Sequence, residues 1–237
     1  GINHVSSLLP VRVLGKCGGR FSDIIDGIRW SAGLAVPGAP VNANPARIIN
    51  LSLIADQPCS VEIQNAIDAA VEAGAVVVAA AGNGDGADVA NTLPAGCANV
   101  VAVAATDRAG QIEPYSNLGS GVLLAAPGRN IYSIYNDGTT VATVDTYNYI
   151  TGTSVAAAQV SAAISLLVSA QPGLTVGNIR QILSQTARPY SGGCPSALPC
   201  GAGILDMQAA LQMALDITPG DPAAASGGDA GGGGGGG

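Results

Sequence analysis

Two apolar runs, Ile48-Ile49-Asn50-Leu51-Ser52-Leu53 and Ala75-Val76-Val77-Val78-Ala79-Ala80-Ala81, decide the fold. Runs this short and this apolar are typical of strands buried on both faces of a parallel sheet. Between them, Ser60 to Ala73 reads as a helix, closed by Gly74. Strand, helix, strand in that order implies a right-handed crossover and parallel pairing. Upstream, Leu8 to Leu14 reads as another strand, followed by a Gly15-Lys16-Cys17-Gly18-Gly19 turn. Ser22 then caps a helix running to about Gly33, with Ile24, Ile25, Ile28 and Ala32 on one face. Downstream, Val100 to Ala104 and Val122 to Pro127 continue the sheet. Ile131 to Ile150, rich in Thr, Tyr and Val, reads as short antiparallel strands. Thr175 caps a helix to about Thr186, and a last helix covers about Met207 to Leu215. The expected fold is an α/β three-layer sandwich with a mainly parallel sheet.

Composition agrees. A chain of 237 residues is long enough for one good core, and 48% hydrophobic against 11% charged residues excludes wholesale disorder. A net charge of −7 argues against a nucleic-acid or anionic-membrane partner. Five cysteines are present and none forms a C-x-x-C pair, so zinc is not indicated. Cys194 and Cys200 bracket a short loop that a disulfide would close. Cys17 and Cys59 each follow an expected strand, which pairs them at one sheet edge and leaves Cys97 over. Two bridges in a chain with few cysteines point to an oxidising, extracellular setting. The domain is expected to span residues 1–217. From Thr218 the composition turns to Gly, Ala and Pro, and 218–237 reads as a flexible linker or tail.

The chemistry centres on Gly152-Thr153-Ser154-Val155-Ala156-Ala157-Ala158-Gln159-Val160. A small-residue turn opens a helix of about Thr153 to Ala170, and no residue from Gly152 to Ala170 is charged. Ser154, Gln159, Ser161, Ser165 and Ser169 interrupt the run, so it reads as a buried core helix rather than a membrane span. A helix N-terminus offers free N–H groups and a dipole that favours negative charge. An acyl-transfer serine needs that setting, because an oxyanion forms beside it. The plainer reading is that Thr153 or Ser154 only caps the helix.

Gly152-Thr153-Ser154-Val155-Ala156-Ala157 resembles the serine motif of the subtilisin-like serine proteases, the subtilases. Leu8-Leu9-Pro10-Val11-Arg12-Val13-Leu14-Gly15, Ile48 to Leu53, and Val76 to Asn83 resemble other stretches of that family, in the family's order. The resemblance covers about residues 1 to 215 and implies peptide-bond hydrolysis through an acyl-enzyme on Ser154. It implies that Asn83 and the Ser154 N–H form the oxyanion hole. It assigns substrate contacts to Gly18 and Gly19 on one side and to Ser52, Leu53 and Ile54 on the other. Ala80, Ala81 and Gly82 would form a pocket wall, and Thr153 would be a further substrate-binding residue.

In the family, a histidine base and an orienting aspartate precede the serine. The only histidine here is His4, in a turn just before the first expected strand, and it does not fit the family's helical histidine. Asp23 and Asp26 lie on a helix rather than in the family's aspartate strand. The chain is therefore expected to be the C-terminal two-thirds of a catalytic domain, to need a missing N-terminal segment, and to be inactive alone. Val155, Ala158 and Gln159 replace the family's Met, Pro and His. Ile54 stands where relatives usually carry Gly, and Leu123 where they often carry Asp.

No cofactor is required for the chemistry and no metal site is assigned. Structural calcium near Asp85 and Asp88 is a minor expectation. The expected partner is a polypeptide substrate, with the chain a secreted monomer. The departures around the site support an alternative, a non-catalytic module that binds extended peptides or a protein. A third reading takes Gly82-Asn83-Gly84 as a phosphate-cradling loop, but that needs a helix directly afterwards, and Asp88 to Pro94 does not read as one.

Overall fold

The computed structural model describes residues 2–217. Four parallel strands, β1 (Ile48–Leu51), β2 (Val76–Ala80), β3 (Val101–Thr106) and β4 (Val122–Pro127), lie side by side in chain order. Two helices, α1 (Phe21–Ser31) and α2 (Val61–Glu72), cover one face. Three more, α3 (Thr153–Ala170), α4 (Val176–Gln185) and α5 (Met207–Asp216), cover the other. The alternation of side chains along β2 builds both interiors. Val77, Ala79 and Ala81 enter the core under α1 and α2, while Val76, Val78 and Ala80 enter the core under α3, α4 and α5. Every residue of β2 and β3 is buried, which is why these stretches carry no polar alternation. The three-layer α/β sandwich is therefore as expected. Between β4 and α3, β5 (Ile131–Asn136) and β6 (Asp145–Ile150) form a separate antiparallel pair.

Helix ends follow local chemistry. Ser60 caps α2, its hydroxyl accepting from the Ile63 N–H at 3.4 Å. Thr175 and Asn178 form a reciprocal capping box at α4. At α1 the expectation fails. The N-cap is Arg20 with no side-chain cap bond, and Ser22 lies inside the helix, its hydroxyl facing Asp23 at 3.4 Å. α3 is long and apolar enough for a membrane span, yet it packs against all four parallel strands and α5.

Leu8 to Leu14 does not form a strand. Leu8 is 92% exposed, and the regular pairing nearby is one bridge between Gly15 and Gly18. A strand exists only where a neighbour accepts its backbone groups, and β1 does not pair with this segment. The segment is held instead by side chains: a Cβ on Gly27 of α1 would meet Val13 at 2.5 Å.

The same failure corrects the disulfides. Cys17 is exposed and free, because the segment before it is outside the sheet. Cys59 pairs with Cys97, the cysteine expected to be left over, with a Cα–Cα distance of 5.1 Å. Their segments meet because Ala55 and Leu93 exchange N–H···O bonds at 2.9 Å each, and Gln64 binds both the N–H and the carbonyl of Ala98. Cys194 and Cys200 are joined as expected. The expectation for residues 218–237 lies outside the described residues.

Candidate active site

The sheet's C-terminal ends bring Ser52, Gly82, Asn83, Thr153 and Ser154 together. The chain leaves β2 at Ala80 and turns through Gly82 and Asn83, and α3 starts directly opposite. Asn83 Oδ1 accepts from the Thr153 N–H at 3.0 Å and from the Thr153 hydroxyl at 3.0 Å. The Thr153 hydroxyl accepts in turn from the Gly82 N–H at 3.1 Å. A backbone N–H only donates, so the atom facing it is the amide oxygen, and Nδ2 is turned away from Thr153.

That orientation has a chemical result. Four N–H groups at a helix start lack intrahelical partners. Here Gly152 donates to the Gly128 carbonyl at 2.8 Å and Thr153 donates to Asn83. The Ser154 N–H makes no hydrogen bond among the described residues. A Cβ on Gly152 would stand 3.4 Å from Asn83 Nδ2 and 3.8 Å from the Ser154 nitrogen. Gly152, at φ +152°, therefore keeps open a space that both groups border. Two donors at such a space suit a developing oxyanion. The Ser154 hydroxyl is half-buried and makes no hydrogen bond among the described residues.

Residues outside the expected set hold this arrangement. Asn117, 2% exposed, accepts from the Gly84 N–H at 2.7 Å, and its Nδ2 donates to the Thr92 hydroxyl at 2.9 Å. Its own N–H donates to the Gly82 carbonyl at 2.9 Å. Gly82 has φ +107°, and a Cβ there would meet Asn117 Nδ2 at 2.5 Å, so glycine is required. The Tyr115 hydroxyl donates to the Gly128 carbonyl at 2.9 Å, the same oxygen that holds Gly152. Burial first, and the nearby Glu113 charge second, push the Tyr115 phenol up to about 12. Gln159 donates to the Pro127 carbonyl from one turn down α3. The substitution at 159 thus keeps a side chain bound to the segment that carries Gly128. A polar residue inside an apolar helix was the available clue to Gln159. Asn117 lies in Glu113 to Gly119, which resembles a subtilase turn, but nothing in that stretch marks its contact with Gly84.

Other expected residues are distributed unevenly. Ser52 lies at the site, its hydroxyl donating to the Ser154 carbonyl at 2.9 Å. Asn50 extends the link, donating to Ser52 and accepting from Ser161 at 2.8 Å. Leu53 is half-buried and Ile54 is 43% exposed. Ala80 and Ala81 are fully buried in the two cores, so of that trio Gly82 alone borders Asn83. Gly18 and Gly19 line an open hollow of about 500 Å³ with Arg12, Leu14 and Asp23. No hydrogen bond among the described residues joins them to Ser52, Leu53 or Ile54.

His4 makes no hydrogen bond to Ser154 among the described residues. Its neighbour Asn3 donates to the Ser165 hydroxyl at 2.9 Å. Ser165 is three turns down α3, about 16 Å from Ser154 along the axis. Among the described residues no group of three His, Cys, Asp or Glu side chains is arranged to hold a metal ion. Asp88 caps a short 3-10 turn, accepting from the Ala90 N–H at 3.0 Å.

Comparison with known proteins agrees with this architecture. An extracellular protease of Xanthomonas campestris pv. campestris is 46% identical over 217 residues, covering 91% of this chain and 37% of that protein. An extracellular basic protease of Dichelobacter nodosus is 41% identical over 219 residues, covering 91% of this chain and 36% of its own length. The chain thus spans little more than a third of these relatives. A solved protease structure from Pseudoalteromonas arctica superimposes with a TM-score of 0.86 at 44% identity, covering 90% of this chain and 65% of that one. Residues 1–214 match the subtilase family, to which this chain belongs.

Proposed function

We propose that this chain is the nucleophile-and-oxyanion part of a secreted subtilisin-like serine endopeptidase. Ser154 attacks the scissile carbonyl and forms the acyl-enzyme. Asn83 Nδ2 and the Ser154 N–H receive the oxyanion. The observation that carries this reading is the pair of hydrogen bonds from Thr153 to Asn83 Oδ1, which turns Nδ2 outward beside the free Ser154 N–H. Extracellular relatives and two disulfides support secretion.

A serine hydroxyl needs a base to take its proton. His4 is not that base: the residue before it, Asn3, is tied to Ser165, three turns down α3 from Ser154. The base and its orienting carboxylate come from a segment N-terminal to this chain in the parent protein, and the chain alone is inactive. Polypeptides are the substrate, and no cofactor takes part. Hydrolysis of a short peptide anilide by the chain and by the longer parent tests this. The parent is expected to release the aniline and the chain is not. Turnover by the chain alone would overturn the need for an outside base. A folded parent with no turnover would favour a non-catalytic binding module.

A further inference from the structure

The β5–β6 pair leads into the serine turn, since β6 ends at Ile150 and Ser154 follows four residues later. Its pairing sets Tyr132 opposite Tyr149 and Ile134 opposite Tyr147. Alternation puts all four side chains on one face. They are 61%, 66%, 75% and 60% exposed in that order. The rings already form a cluster, with Tyr132 centred 5.5 Å from Tyr147 and 5.0 Å from Tyr149. The face carries little charge. Across residues 131–150 only Asp137 and Asp145 are ionisable acids, with no Lys or Arg. Both lie at the far end and are engaged internally: Asp145 accepts from Asn136 at 2.8 Å, and Asp137 accepts from the Val144 N–H at 3.0 Å and from Thr143.

We propose that this tyrosine face docks an extended, uncharged, proline- and aromatic-containing stretch of the polypeptide substrate beyond the cleavage site, an inference that rests on the peptidase reading above. Side chains of this size expose roughly 500 Å² together at these fractions. That is too little for a stable dimer, which buries about 800 Å² per partner, but suits a transient ligand. Pre-stacked rings lose little side-chain freedom on binding. Proline-containing segments lie on aromatic surfaces because their backbone is already extended. Each strand of a two-stranded sheet also keeps one open edge for the ligand's backbone. A hollow of about 440 Å³ along Ile134, Asn136, Asp145 and Tyr147 continues the surface.

The test uses the parent protein and two peptides with the same cleavage sequence. One is extended by an uncharged Tyr/Pro segment and the other by a Gly/Ser segment of equal length. The ratio of kcat/KM for the first over the second should be at least tenfold, carried by KM. In the triple variant Tyr132→Ser, Tyr147→Ser, Tyr149→Ser it should fall at least fivefold. In the matching Phe variant it should be retained, which separates ring contact from misfolding. Calorimetric binding of the same peptides to the Ser154→Ala protein reads the surface without turnover, so failure of catalysis and failure of docking are told apart. Equal affinity for both peptides would overturn the proposal. So would a dimer that dissociates in the Ser variant, or preference for a soluble oligosaccharide over the Tyr/Pro peptide.

Discussion

Asn83 Oδ1 receives two hydrogen bonds from one residue, Thr153, at 3.0 Å each. The pair fixes which end of the amide faces Thr153. Replacing Asn83 with Asp keeps the acceptor for Thr153 but removes the N–H₂ donor. The parent enzyme should then fold normally and lose about 10²–10³ in kcat, near 3 kcal/mol, with little change in KM. Steady-state kinetics alongside thermal melting would check both halves.

Thr153→Val removes the hydroxyl while keeping the shape. The Gly82 N–H then loses its acceptor in a buried setting. The expected cost is about 1–3 kcal/mol in unfolding free energy, with a fall in kcat as Asn83 keeps only the backbone N–H of its two donors. Urea unfolding of the variant measures the first effect.

The disulfide assignment gives a contrast between cysteines. Cys59→Ser with Cys97→Ser should lower stability by about 2–4 kcal/mol, because the bridge closes a long loop. Cys17→Ser should change stability by less than about 0.5 kcal/mol, since that thiol is exposed and unbridged. Denaturant midpoints of the two variants separate this pairing from a Cys17–Cys59 bridge.

Tyr115 predicts an alkaline limb. Its phenol ionises near 10 when unfolded and at about 12 in the fold. The unfolded chain therefore releases its proton first, so this contribution is intact below pH 10 and is lost as pH rises through 12. Tyr190 is shifted in the same direction by burial. Tyr115→Phe should flatten, without abolishing, the decline in thermal midpoint between pH 10 and 12.

Much of this was legible in the sequence because it depends on local rules. β2 and β3 are apolar at every position because both faces are covered, and that pattern is visible without coordinates. β4 and α3 have the expected bounds. Ser154, Asn83, Thr153 and Ser52 meet at one turn through short motifs. The rest depended on partners far away in the chain. Leu8 to Leu14 has strand composition but pairs with no strand of the sheet, and the Cys17 assignment failed with it. Asn117 reaches Gly84 across 33 positions, a contact that spacing alone does not reveal.

The most direct measurement is mass-spectrometric mapping of a fluorophosphonate adduct on the folded parent protein. One adduct is expected, on the hydroxyl of Ser154, absent in Ser154→Ala and much slower to form in Asn83→Asp. A folded parent that stays unlabelled, or one labelled at another serine, would contradict it.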